Sequence, residues 1–506
     1  MALGRAFSVA VRGLDGLIVE IEADITSGLP GVHLVGLPDA ALQESRDRVR
    51  AAITNSEQRW PAARLTLALS PATLPKGGSV YDLALACAVL SADGETQWPR
   101  LGKTVLLGEL ALDGRVRPVH GVLPAVLAAK KDGWPAAVVP VDNLAEASLV
   151  DGIDVYGVAS LSQLVSWLEG TARVQERVST VTPAAEPAAD LAEVVGQAQA
   201  RFAVEVAAAG SHHLMLTGPP GIGKTMLAQR LPGLLPQLTE SESIEVTAIH
   251  SVAGLLSGSA PLITRPPFIA PHHSSSVAAL VGGGSGMARP GAVSRAHRGV
   301  LFLDECAEIR VSALEALRTP LEDGEIRLAR RDGVACYPAR FQLVMAANPC
   351  PCAPADPRDC TCKSMEKRRY LGRLSGPLLD RIDIHVEITP VPFEKISDST
   401  PGERSSEICK RVVKARQIQA ERFRKIPGIY CNAQMTSKMV RRYAAPEAAG
   451  LQLLGTAMER LSLSARAYER ILKVSRTIAD LDDSPHVLPV HLAEAINYRN
   501  LDREVW

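Results

Sequence analysis

The chain has 506 residues, 46% of them hydrophobic and 22% charged, the balance of a soluble globular protein of roughly three domains. Its 55 Lys and Arg offset 55 Asp and Glu, which excludes a polycationic coat protein and an acidic disordered chain but not a basic stripe on one face. Aromatics at 4% exclude a surface built on many stacked rings, and nine cysteines, an odd number, do not make a secreted disulfide framework.

In chain order, Phe7–Gly13 and Leu17–Ile25 read as a hairpin about Leu14-Asp15-Gly16, since Asp-Gly is a favoured two-residue turn. Val19, Ile21, Ala23 and Ile25 alternate with Glu20, Glu22 and Asp24, so one face of the second strand is wet. Helical and strand-like segments then alternate, and residues 1–170 read as one α/β domain. Residues 171–190 mix Ala, Pro, Thr and charge without apolar periodicity, which is linker composition. Residues 191–390 alternate strands and helices again, and 391–506 read as mainly helical with a basic stretch from Arg404 to Lys425. There is no signal-peptide core at the start and no apolar run of about 18 residues, so a cytoplasmic chain with no membrane contact is expected.

The second domain carries the chemistry. The apolar strand Leu214–Thr217 runs into Gly218-Pro219-Pro220-Gly221-Ile222-Gly223-Lys224-Thr225, and Met226 opens the helix that follows. This is G-x-x-x-x-G-K-[ST] in the strand–loop–helix setting that phosphate binding requires. Loop amides would close on the phosphates of ATP, Lys224 would reach the β- and γ-phosphates, and the Thr225 hydroxyl would ligate Mg²⁺. Gly299–Leu303 is an apolar strand ending in Asp304-Glu305: the first acid would hold Mg²⁺ through water, the second would orient or deprotonate an attacking water. A third strand, Phe341–Ala347, ends in Asn348, a polar group for the γ-phosphate or the water. Arg381 precedes a strand and Arg466 opens a helix; each is a candidate to stabilise transition-state charge, in cis or from a neighbouring subunit.

These segments resemble AAA+ ATPases of the magnesium-chelatase-like clade, and within it the ComM/YifB family. The similarity rests on GPPGIGKTMLAQRLPGLLP, PHHSSSVAALVGGG, GVLFLDE, LRTPLEDGEI, YPARFQLVMAANPCPC, RYLGRLSGPLLDRIDIHVE and LSARAYERILKVSRTIADL, and spans the chain. The resemblance implies an α/β fold of three parts: a Lon-protease-like N-terminal domain, a P-loop αβα core and a helical C-terminal lid. It implies that Asn348 is sensor 1, Arg381 a trans-acting arginine finger with Arg373 as fallback, and Arg466 sensor 2. A trans-acting finger implies a ring, expected to be a hexamer. The activity implied is ATP-driven DNA translocation or helicase action in branch migration during recombination and natural transformation, with a recombination protein as a further partner.

Glu325–Gly333 reads as a hairpin with a turn near Arg331-Asp332-Gly333, and in this clade such a hairpin points into the ring channel. Arg327, Arg330 and Arg331 are therefore DNA-contact candidates, against the alternative of an exposed Arg-rich turn. Gly282–Gly291 looks like the second channel loop, with Arg289 as its contact. The N-terminal domain resembles the Lon protease domain, but Val80 and Leu123 stand at the nucleophile and base positions, so a non-catalytic domain is expected and a shifted Ser79–Lys76 dyad is the alternative. Cys350-Pro-Cys352 and Cys360-Thr-Cys362 could close a tetrahedral Zn²⁺ site, or remain free thiols or adventitious disulfides; the other five cysteines read as core. His272-His273 is assigned a structural or channel-loop role. A chelatase-type ATPase acting on a protein partner and an ATP-dependent protease are the competing functions.

Overall fold

The alternating pattern along the second strand sets the first sheet. Val19, Ile21 and Ala23 are fully buried, while Glu20 and Glu22 meet Arg5 at 3.5 and 3.2 Å on the wet face. The strand β2 (Asp15–Thr26) pairs antiparallel with β1 (Leu3–Arg12), in register from Leu3↔Asp24 to Arg12↔Asp15. The turn is therefore Gly13-Leu14, and Asp15-Gly16 belongs to the strand, which corrects the expected hairpin. Gly13 takes φ +65°, and a Cβ there would lie 2.6 Å from the Cys336 carbonyl oxygen of the second domain, so the turn is selected by a tertiary contact.

This computed structural model describes residues 3–36, 39–94, 98–178, 189–256, 261–284, 288–330, 333–354, 356–391, 402–461 and 463–499. The first sheet continues with β3 (Gly31–Val35), β4 (Arg64–Ser70) and β5 (Thr104–Leu106); β6 (Glu109–Leu110) and β7 (Val116–Arg117) form a small separate pair. With β8 (Ala136–Pro140), β9 (Asp154–Val158) and β10 (Gln175–Glu176) the eight-stranded order is β10-β9-β8-β5-β1-β2-β4-β3. Helices Asp82–Ala92 and Val122–Lys131 pack on this sheet. The strand β10 lies inside the stretch read as linker, and Arg177 ties the same segment to Asp151 at 2.6 Å, so the first domain runs past residue 170.

The second sheet is wholly parallel. Its order is β12 (Phe268–Ile269), β15 (Val300–Leu303), β18 (Gln342–Ala347), β11 (Leu214–Thr217) and β19 (Ile384–Glu387). Apolar runs this short and continuous suit strands buried on both faces, and Val300–Leu303 and Gln342–Ala347 are buried throughout. Two hairpins leave the sheet: β13 (Gly282–Gly283) with β14 (Arg289–Pro290), and β16 (Glu325–Arg330) with β17 (Gly333–Pro338). A helical region, Ser405–Phe423, Ser437–Tyr443, Ala448–Leu461, Ala465–Leu481 and Pro489–Asn497, shares one core with the helix Ala198–Gly210.

Most basic groups of Ser405–Phe423 are spent inside the fold. Arg411 holds Glu205 and Glu403, Lys414 meets Asp483 at 2.8 Å, Arg416 donates to the Ala208 carbonyl, and Arg422 clamps Asp480. The basic stretch is thus a packing device, which corrects its reading as a charged surface strip. No described helix is long and apolar enough to cross a membrane.

Candidate nucleotide site

Parallel register brings the site together. Thr217 pairs with Ala347 and Leu303 with Met345, so the P-loop, Asp304 and Asn348 leave the sheet at the same carboxyl edge. The backbone N–H of Gly218 donates to the Ala347 carbonyl at 3.2 Å, and a Cβ on Gly218 would lie 2.5 Å from the Ile388 carbonyl oxygen. Gly221 and Gly223 take φ +76° and +96°, and nothing lies within 4 Å of where their Cβ atoms would stand. That open cradle is the space a phosphate chain needs.

Lys224 is buried, and its ammonium donates to the carbonyls of Gly218 and Pro219, both at 2.7 Å, and to Asn348 Oδ1 at 3.0 Å. Burial lowers its pKa, and the Asp304 and Glu305 charges oppose that shift. The Thr225 hydroxyl donates to Asp304 at 2.7 Å, a hydroxyl–carboxylate pair of the kind that holds hydrated Mg²⁺. Glu305 follows with φ +48°, its N–H on Asp304 Oδ1 at 2.9 Å. All four polar groups expected here converge, and the donor set fits ATP with Mg²⁺.

Glu305 has a partner that the sequence did not reveal. His273 Nδ1 lies 3.0 Å from its carboxylate. The assigned structural role for His273 is therefore corrected: it touches an acid of the nucleotide site. The two residues are 32 positions apart, and only the pairing of β12 beside β15 joins them.

The arginines expected at the nucleotide are elsewhere in this subunit. Asp383 N–H bonds the His213 carbonyl at the start of β11, so Arg381 sits at the amino edge of the sheet, opposite the P-loop. Arg381 binds Glu322, and its Nε has no hydrogen-bond partner among the described residues. Arg466 meets Asp380 at 2.9 Å on the same edge. With Arg298, Arg340, Arg470 and Lys473 they line a cavity of about 590 Å³. Arg466 cannot serve the nucleotide of its own chain from there. Arg373 is committed to Glu308 at 3.1 Å and the Ala307 carbonyl at 3.0 Å.

A buried network fixes this edge. Arg470 binds Asp383, His212 Nδ1 lies 3.0 Å from Asp383, and His212 Nε2 lies 2.7 Å from Thr477. Burial alone would push the Asp383 carboxyl up; Arg470 and His212 override it and hold it well below the usual carboxylate range.

The two hairpins meet. Leu328 and the Arg330 guanidinium lie over Gly282 and Gly283, so Arg289 and Arg330 share one tip. Arg12 of the first domain reaches Gly333 of the same hairpin, a basic residue the sequence reading missed. Arg327 is exposed but paired with Glu325 on its own strand, with Nε at 2.7 Å. Arg331 lies outside the described residues.

The sulfur atoms of Cys350, Cys352 and Cys360 are 3.5–3.6 Å apart, and with Cys362 all four fall within 4.8 Å of one another. Four thiolates around a metal at about 2.3 Å would stand about 3.8 Å apart, so the cluster can hold a metal. Hydrogen bonding with Cys362 first, then Cys350 and Cys360, holds the Cys352 thiol at about 6, and burial pushes Cys350 up to about 12. Of the other five cysteines, Cys87, Cys306 and Cys431 are buried, but Cys336 is exposed and Cys409 half-buried, against the expectation of five core residues.

In the first domain no Ser–Lys dyad forms. Lys76 is buried with its ammonium on the carbonyls of Gly36, Leu69 and Pro71, whereas Ser79 donates to Glu109. Leu123 is fully buried and its N–H binds Glu146 at 2.8 Å.

A parallel P-loop sheet with acids and an asparagine on one edge, under a helical region, defines an AAA+-type ATPase core. The family follows from similarity. Residues 190–396 match "Magnesium chelatase, subunit ChlI", residues 21–143 match "Subunit ChlI of Mg-chelatase", and residues 402–499 match "Magnesium chelatase, subunit ChlI C-terminal". The chain is 41% identical over 513 residues to "Competence protein ComM" of Haemophilus influenzae and 41% identical over 505 residues to "Uncharacterized protein YifB" of Escherichia coli, covering 99% of this chain and 98% of each relative. An uncharacterized protein of Mycobacterium tuberculosis is 70% identical over 499 residues, 99% of both chains. A "Lon protease" of Mycolicibacterium smegmatis is 28% identical over 175 residues, 32% of this chain and 22% of that one. The chain belongs to the ComM/YifB family of magnesium-chelatase-like AAA+ ATPases.

Proposed function

We propose that the chain is an ATP-driven DNA translocase that works as a hexameric ring and promotes branch migration in recombination and natural transformation. The observation that carries this reading is the shared tip of two hairpins bearing Arg289 and Arg330, rising from the same sheet as the nucleotide site. Arginines on a mobile tip suit phosphate contacts that ignore base sequence. The name of the Haemophilus relative, a competence protein, points the same way.

The chemistry is phosphoryl transfer to water. Gly218 to Met226 cradle the phosphates, Lys224 neutralises the β- and γ-oxygens, and Thr225 with Asp304 would hold Mg²⁺, which draws negative charge off the transferred group when bound. Glu305 takes a proton from water as its oxygen bonds to the γ-phosphorus and the bond to the β-phosphate oxygen breaks, giving ADP and phosphate. Asn348 orients Lys224 and the γ-phosphate. Arg381 and Arg466 act on the nucleotide of the neighbouring subunit. A structural Zn²⁺ on Cys350, Cys352, Cys360 and Cys362 braces the loop that follows Asn348.

The family matches to chelatase subunits favour a second reading, an ATPase that remodels a protein partner. The test is strand displacement on three- and four-stranded DNA, with Lys224→Ala as control. The wild type should move strands only with ATP, and the variant should not. ATP hydrolysis that DNA does not stimulate, with no strand moved, would sink the DNA reading.

A further inference from the structure

We propose that His273 is a positioning residue that holds Glu305 out of its hydrolytic orientation, and that load on the Arg289 hairpin releases it. The inference rests on the DNA reading for the source of the load, but not for the contact.

The contact is built by its surroundings. The chain leaves β12 through Ala270 and Pro271 into a turn closed by Ser275 N–H on the His272 carbonyl at 2.9 Å. His272 Nδ1 takes the Ser274 hydroxyl at 2.7 Å and its N–H at 3.2 Å, and the His272 and His273 rings lie 4.1 Å apart. His273 is thereby aimed at Glu305 Oε2. Glu305 needs a free carboxylate oxygen to take a proton from water, and His273 occupies one. The acid also sits in a left-handed backbone conformation, φ +48°, uncommon for a non-glycine residue. Such strained positions mark places where an alternative arrangement is close in energy.

The same turn leads directly to the hairpin. Ser276 caps the helix Val277–Val281 by accepting from Ala279 N–H at 3.1 Å. That helix ends at Gly282, φ +107°, whose strand pairs with Arg289-Pro290. From His273 to the hairpin there is a hydrogen-bonded turn and about 7–8 Å of helix. A phosphate pulling on Arg289 therefore moves a short stiff arm whose other end is the His273 ring. The pair is partly exposed, 38% for His273 and 50% for Glu305, so it is weak enough to be broken by one such contact.

The experiment is steady-state ATP hydrolysis by His273→Ala and His273→Asn, with and without single-stranded DNA, in the full-length protein. Asn carries an N–H donor at the place of Nδ1. His273→Ala should raise the DNA-free kcat about fivefold, the factor that ~1 kcal/mol gives, with KM for ATP unchanged. DNA should then add little, and His273→Asn should return the DNA-free rate toward wild type. A DNA-free kcat in His273→Ala equal to or below wild type overturns the proposal, as does His273→Asn behaving like His273→Ala. Absence of DNA stimulation in the wild type, with the His273→Ala rate raised, counts against the DNA reading and leaves the His273 contact standing.

Discussion

Lys224 illustrates how one side chain can be both buried and charged. Its ammonium sits among two loop carbonyls and Asn348, so burial is offset by three acceptors while the cradle above stays open. Asn348 is the one acceptor that comes from a different strand, and it aims the ammonium from the side where a γ-phosphate would lie. Asn348→Ala should lower kcat by about 10- to 100-fold, the range for a lost polar contact to developing charge. ATP affinity should change little, because the two carbonyls still hold Lys224. Equilibrium nucleotide binding alongside hydrolysis rates checks this; a large loss of affinity with kcat intact would contradict it. Lys224, Thr225 and Asp304 were legible in the sequence because loop chemistry forces their spacing. His273 was not, because nothing local distinguishes it from a turn histidine, and its partner is set by strand order. Arg327 misled for the converse reason: its neighbour across one residue, Glu325, neutralises it.

At the scale of elements, periodicity located the strands and failed at their ends. The first turn moved by one or two residues because Gly13 touches the second domain, a contact that outweighs the local preference of Asp-Gly. The linker composition hid a two-residue strand because an edge strand this short needs only two backbone partners. The basic helix looked like a surface because its acidic partners, Glu205, Asp480 and Asp483, come from elsewhere in the chain. The cysteine loop was the reverse case, since its spacing is tighter than the usual ligand gap and geometry nevertheless gathers all four sulfurs. The purified chain should carry about one Zn²⁺, and Cys360→Ser/Cys362→Ser should lose it and unfold about 5–10 °C lower. Metal analysis with thermal unfolding decides; native protein without metal would remove Zn²⁺ from the description.

At the scale of the whole molecule, the division of charge between the two edges of the parallel sheet matters most. The carboxyl edge holds Lys224, Thr225, Asp304, Glu305 and Asn348, and the amino edge holds Arg381, Arg466, Arg470 and Lys473 around one cavity. A β-strand of four residues rises about 13 Å, so no side chain on one edge can complete the other within a subunit. The unpartnered Arg381 Nε and the cavity beside it are what a half-site looks like before its complement arrives. This predicts complementation between inactive chains. Arg381→Ala keeps an intact P-loop but cannot serve its neighbour, and Lys224→Ala keeps the arginine but cannot use ATP. Each alone should hydrolyse ATP about 10³-fold or more below wild type, the usual cost of removing such a group. Mixed in equal amounts and allowed to exchange subunits, they should recover part of the wild-type rate, because a Lys224→Ala subunit offers Arg381 to the P-loop of its neighbour. Activity that stays at the level of the separate variants, with mixed assemblies verified by tagged pull-down, would mean that Arg381 acts within its own chain or not on the nucleotide at all.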